Sequence, residues 1–105
     1  MAPDFKKYLP LTETTAYILM ALSRPLHGYG VMQRVETMSE GTVKVGPGTL
    51  YGAFNVLEKE GLIKKAGEIK RRKLYTLTAA GRQVIKEHIR RTQILVRNGE
   101  ITSEW

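Results

Sequence analysis

The chain has no cysteine, one aspartate (Asp4), two histidines and one tryptophan in 105 residues. Without cysteine there is no disulfide framework and no thiolate metal site, and a reducing compartment is permitted. His27 and His88 are too far apart in sequence to form a ligand pair at helical spacing. No glycine-rich loop ends in Lys-Ser/Thr, and no strand pattern leads into Gly-x-Gly-x-x-Gly. No catalytic constellation can be assembled, so no enzyme, cofactor or metal is expected. No apolar run approaches the ~20 residues that span a membrane. The N-terminal stretch also lacks the apolar region of a secretory signal. A cytoplasmic protein with no membrane partner is the expectation.

What is abundant is positive charge, and its position is informative. The formal net charge is +7. Residues 1–62 carry six Lys/Arg and six Asp/Glu, whereas residues 63–105 carry eleven Lys/Arg against four Glu, the whole of the excess. A clustered basic patch is an electrostatic footprint for polyanions. At this length one small domain with a modest core is expected.

The stretch GPGTLYGAFNVLEKEGLI, Gly46 to Ile63, reads as one helix with both ends marked. Gly46 serves as N-cap, Pro47 suits the first helical position, and Gly61 suits the residue just past the end. Leu50, Ala53, Phe54 and Leu57 fall at i, i+3, i+4, i+7 and form one buried stripe. The opposite face carries Gly48, Thr49, Tyr51, Gly52, Asn55, Val56 and Lys59 and is short of both charge and bulk. The two glycines give up about 1 kcal/mol each of helix propensity relative to alanine. From the helix alone there are two readings: a face thinned to admit something close to the backbone, or two neutral glycines on a surface.

After Gly61, residues 62–66 and 69–77 read as two strands joined at Gly67-Glu68, with a basic run Lys70-Arg71-Arg72-Lys73. A helix followed by a hairpin with a cationic tip is the layout of a winged helix, in which one element enters the major groove and the other lies along phosphates.

Upstream, residues 1–10 read as an arm, packed on a partner subunit or frayed. Leu11–Ser23 is a helix apolar nearly all round, hence buried on more than one side. Arg24–Gly28 is a loop in which His27 is a loop or capping residue, and Tyr29–Met38 is the next helix. Thr42–Val45 alternates as a short third strand that could pair with the wing. The helix pair across this connection has helix-turn-helix character, with the second as reader. Thr78 caps a last helix running to about Asn98, with Gly99 just past its end. Two apolar tracks run along it, Ile85, Ile89, Thr92, Val96 and Val84, His88, Leu95. One track packs on its own domain and the second is left for a partner copy. His88 reads as an interface histidine rather than a sensor.

Leu26-His27-Gly28-Tyr29, Pro47-Gly48-Thr49-Leu50-Tyr51, Leu57-Glu58-Lys59-Glu60-Gly61-Leu62-Ile63 and Tyr75-Thr76-Leu77-Thr78-Ala79-Ala80-Gly81-Arg82 together resemble the PadR family of bacterial transcriptional repressors, across roughly residues 11–90. The resemblance implies a homodimeric winged helix-turn-helix repressor on a two-fold symmetric operator. It also implies dimerisation through the C-terminal helix, with small molecules bound near that interface in some members. The chain looks like the short subgroup. It departs from the family where Gly30 replaces an acidic residue after His-Gly-Tyr, and where Lys70–Lys73 replaces Gly-Arg-Pro at the wing.

The resulting expectation is a mainly α (α+β) winged helix-turn-helix with a C-terminal dimerisation helix. It comprises an arm (1–10), a DNA-binding domain (11–77), a dimerisation helix (78–99) and a tail (100–105). The DNA-contacting set is Pro47, Gly48, Thr49, Tyr51, Gly52, Asn55, Lys59, Lys70, Arg71, Arg72 and Lys73. Asn55 is the base reader, by bidentate pairing with adenine, and Lys64 and Lys65 make lesser phosphate contacts. Tyr51 has a second reading, as a buried packing aromatic with its hydroxyl at the rim. The dimerisation set is Val84, Ile85, His88, Ile89, Thr92, Leu95 and Val96. Expected partners are double-stranded DNA, a second copy of the chain and a small aromatic effector, with Trp105 a candidate contact or part of a frayed tail. Two alternatives stay open: a ligand-sensing dimer, and a winged helix used for protein or RNA contact without a specific operator.

Overall fold

The computed structural model describes residues 5–102 and 105. In chain order these form a 3₁₀ turn (Phe5–Tyr8), α1 (Glu13–Ala21), α2 (Gly28–Met38), α3 (Pro47–Lys59), β1 (Ile63–Ile69), β2 (Arg72–Leu77) and α4 (Ala79–Ile101). Three of the four α-helices begin with a side chain that accepts from an otherwise unpaired N–H. Thr12 accepts from the Thr15 N–H, His27 from Gly30 and Thr78 from Gly81, while α3 opens with Pro47 after Gly46. α3 ends in a Schellman motif. Gly61 takes a φ of +75°, its N–H reaches Glu58 O at 3.0 Å, and Leu62 N–H reaches Leu57 O at 2.9 Å.

The core gathers Ile18, Leu19 and Leu22 around Val31, Val35, Leu50, Phe54 and Leu57, closed by Leu62, Ile63, Leu77, Val84 and Ile85. α1 packs against both α2 and α4, as expected for a helix apolar nearly all round. The arm packs on its own chain rather than fraying. Phe5, Tyr8 and Leu9 are partly buried against the core, and Tyr8 Oη donates to Glu60 O at 3.4 Å. Residues 1–4 of that arm lie outside the described residues.

Three sequence expectations are corrected. First, the hairpin turns at Lys70-Arg71, not at Gly67-Glu68. Ile69 pairs with Arg72, and the two residues between them both have positive φ, 51° and 68°. Two-residue hairpin loops require this geometry to match strand twist and normally recruit Asn-Gly, so a Lys-Arg loop carries no sequence signal. Gly67, at φ +123°, sits instead at a bulge between the Lys65–Tyr75 and Gly67–Leu74 pairs.

Second, Thr42–Val45 is not a strand. Its alternation comes from burial alone, because Val43 and Val45 point into the core while Lys44 points out, 3.7 Å from Glu36. The Val43 N–H is taken by Ser39 Oγ at 3.0 Å, leaving no ladder. The outer edge of the wing is covered by Leu26, which exchanges two backbone hydrogen bonds with Tyr75 at 2.9 and 3.0 Å.

Third, α4 runs through Gly99 to Ile101. Thr102 N–H and Oγ1 both donate to Asn98 O, and Trp105 Nε1 donates to Gly99 O at 3.0 Å, so side chains take the last carbonyls. Ser103 and Glu104 of the tail lie outside the described residues.

Candidate nucleic-acid interface

α3 buries Leu50, Phe54 and Leu57, with Ala53 half-buried, and turns Pro47, Gly48, Thr49, Tyr51, Gly52, Asn55, Val56 and Lys59 outward. A Cβ added at Gly48 or Gly52 would meet no atom within 4 Å. The glycines therefore satisfy no internal packing need, and their effect is to thin the outward face. Val56, outside the expected contact set, is 55% exposed on this face beside Asn55; an aliphatic side chain in such a place can meet a thymine methyl group.

Tyr51 combines both of its readings. Its ring packs edge-on to Phe54 (centroids 6.0 Å apart, planes at 88°) and lies over Gly28, yet the residue is half exposed. Phe54 in turn packs against Tyr75 of β2, with centroids 4.6 Å apart and planes tilted by 45°. This aromatic series ties the outward helix to the wing and fixes their relative placement.

Between the start of α2, α3 and the wing lies a cleft of about 530 Å³ lined by His27, Gly28, Tyr29, Tyr51, Arg71, Arg72, Lys73 and Tyr75. Among the described residues that line it, three side chains are cationic and none is acidic. Lys70 does not line it, so the basic run divides at the turn. Further along α3, Asn55, Val56, Glu58 and Lys59 share a second hollow with Lys65 of β1. The outward face of α3 is thus flanked by wing cations at two points. His27 is the N-cap of α2 (Nδ1 to Gly30 N, 3.1 Å), and Arg72 Nη1 stands 3.4 Å from its Nε2. The sequence pointed to the capping role, not to the approach of Arg72.

The expected dimerisation residues divide along α4. Val84 and Ile85 are buried in the chain's own core. His88 is half-buried, and Ile89, Thr92, Leu95 and Val96 are exposed, Leu95 by 72% and Val96 by 52%. Ile89, Thr92, Leu95 and Val96 line a groove of about 470 Å³ between α1 and α4, whereas Ile94 and Ile101 are exposed on the other side of the helix. On the charged side of α4, a hydrogen bond from Arg90 holds the Glu87 carboxyl below its ordinary range. Among the described residues no group of three or more His, Cys, Asp or Glu could hold a metal, and no helix is long and apolar enough to cross a membrane.

Residues 18–87 match the model of the transcriptional regulator PadR-like family. A 37.1 kDa protein of transposon TN4556 from Streptomyces fradiae is 39% identical over 70 residues, which are 66% of this chain and 20% of that protein. The chain therefore spans about a fifth of that relative's length. Among solved structures, a PadR-like transcriptional regulator from Bacillus cereus superposes with a TM-score of 0.71 at 20% identity, covering 87% of this chain and 93% of the other. A transcriptional regulator from Clostridium thermocellum gives 0.69 at 21%, covering 90% and 100%. Bacillus subtilis PadR, solved in complex with operator DNA, gives 0.63 at 22%, covering 76% and 48%. These likenesses establish the winged-helix fold.

Proposed function

Because the chain belongs to the PadR-like family of transcriptional regulators, we propose that it is a repressor that binds duplex DNA as a homodimer at a two-fold symmetric operator. The observation that carries this is the outward face of α3, stripped of side chains at Gly48 and Gly52 and flanked by the wing cations. The Bacillus subtilis PadR complex with operator DNA, on the same fold, supports the same partner.

In this reading residues 11–77 bind DNA and residues 78–99 join two copies. α3 enters the major groove with its N-terminus leading, and Pro47, Gly48 and Gly52 let the backbone approach the base edges. Thr49, Tyr51 and Asn55 make the polar contacts, with Asn55 pairing to adenine N6 and N7 and Val56 meeting a neighbouring methyl group. Lys59, Lys70, Arg71, Arg72 and Lys73 neutralise phosphates, and Lys64 and Lys65 add lesser contacts. The exposed strip of Ile89, Thr92, Leu95 and Val96 meets the partner copy, with His88 at its edge. A small aromatic effector would lodge in the groove between α1 and α4, next to that strip, and release the operator by moving one copy against the other.

Selection from a random duplex library tests the reading. Enrichment of an inverted repeat, with half-sites centred about one helical turn (10–10.5 bp) or a multiple apart, is the expected result. Enrichment of no sequence, or of single-stranded molecules, would reject it.

A further inference from the structure

We infer that His27 and Arg72 together grip one backbone phosphate of the bound duplex, forming an oxyanion clamp that bridges the start of α2 and the wing. The inference rests on the duplex-binding reading above and adds to it a residue, His27, with a defined task.

His27 Nδ1 accepts from the Gly30 N–H at 3.1 Å. A ring nitrogen that accepts carries no proton, so the neutral ring holds its proton on Nε2 and presents it as a donor. Arg72 Nη1 stands 3.4 Å from that Nε2. A guanidinium has donors and no acceptor, so this contact is not a hydrogen bond. Two N–H donors, on elements 45 positions apart in sequence, face the same space. One anionic oxygen in front of both satisfies them together.

The surroundings select the charge of that oxygen. Arg71 and Lys73 line the same cleft and, among the described residues, no acidic side chain does, so they offer no internal acceptor of opposite charge. Its tyrosyl neighbours, Tyr29 and Tyr51, can add hydroxyl donors. The cleft adjoins the outward face of α3 through Tyr51. A phosphodiester of the strand bordering the groove that α3 enters therefore has the right charge, geometry and position. Gripping it from both the helix-turn-helix body and the wing fixes the register of α3 along the groove.

The test compares wild type with His27→Asn on the selected operator, using duplexes that carry one uncharged methylphosphonate linkage at a time. Asparagine caps helices as well as any residue but supplies no donor at the Nε2 position, so thermal stability should hold. Wild type should lose about tenfold in affinity, the scale of a charge-assisted hydrogen bond, at one linkage in each half-site. His27→Asn should bind the native operator about tenfold more weakly and lose clearly less than wild type at that same linkage, because only Arg72 still grips it. At all other linkages the two proteins should respond alike. Arg72→Gln, at an exposed strand position, should reproduce the pattern and serves if His27→Asn unfolds. Native-operator affinity equal to wild type, or equal losses at every linkage, would overturn the clamp while leaving duplex binding intact. A wild type that binds no duplex specifically would overturn the parent reading, and the clamp with it.

Discussion

The Tyr51 ring rests on the bare Cα of Gly28, so close that a Cβ added there would stand 2.8 Å from Tyr51 Cζ. His-Gly-Tyr and Pro-Gly-Thr-Leu-Tyr, distant in sequence, are thus two sides of one contact. The ring is the far end of a half-exposed side chain and can swing away. Gly28→Ala is therefore expected to cost less than about 1 kcal/mol of stability, at the mild end of overpacking. It should nevertheless weaken operator binding about tenfold, because Tyr51 leaves its place beside the cleft. Urea unfolding and duplex titration measure the two effects, and a double-mutant cycle with Tyr51→Ala should show them coupled.

Gly48→Ala and Gly52→Ala should move stability and function in opposite directions. Nothing lies within 4 Å of either added methyl group, and each exchange gains up to about 1 kcal/mol of helix propensity. A melting temperature higher by roughly 4–8 °C per kcal/mol should accompany at least tenfold weaker operator binding. Stabilised variants that bind as well as wild type would mean that the thin face approaches nothing.

At the wing tip, Lys70 and Arg71 hold left-handed backbone conformations that suit Asn-Gly better. Lys70→Asn with Arg71→Gly should stabilise the protein by on the order of 1 kcal/mol. Arg71 is the member of this pair that lines the cleft. Loss of the two phosphate contacts assigned to this pair, four per dimer, should make the log–log salt slope shallower by about 3.6. An unchanged slope would remove the wing tip from the interface.

Leu95→Glu with Val96→Lys, in the exposed strip of α4, should give a monomer in analytical ultracentrifugation without loss of helicity. Val84 and Ile85 would be poor choices for the same test, since both are buried in the chain's own core and their replacement would unfold the domain.

Much of this arrangement was legible in the sequence, and what was missed has physical causes. α3 was readable to within a residue because Gly46-Pro47 and Gly61 mark its ends and Leu50, Phe54 and Leu57 its buried stripe. The turn was misplaced because glycine is the usual signal for positive φ, and here two cations take that conformation while Gly67 serves a bulge. Val43 and Val45 imitated a strand because alternate burial has the same period with or without a ladder. Gly99 imitated a helix end because the donors that cap α4, on Thr102 and Trp105, lie beyond it. Within the site, the outward residues of α3 followed from helical geometry. The meeting of His27 with Arg72 depends on how the wing folds back over α2, a tertiary relationship that no local pattern encodes.

The central claim is tested most directly by fluorescence anisotropy on two duplexes at several salt concentrations, one from the stretch upstream of the protein's own gene and one scrambled. The account predicts binding to the first that is about a hundredfold or more tighter at physiological salt, since specific sites typically exceed non-specific ones by 10³ or more. Equal affinities that fall together, steeply, as salt rises would reduce the wing and α3 to a basic surface and contradict it.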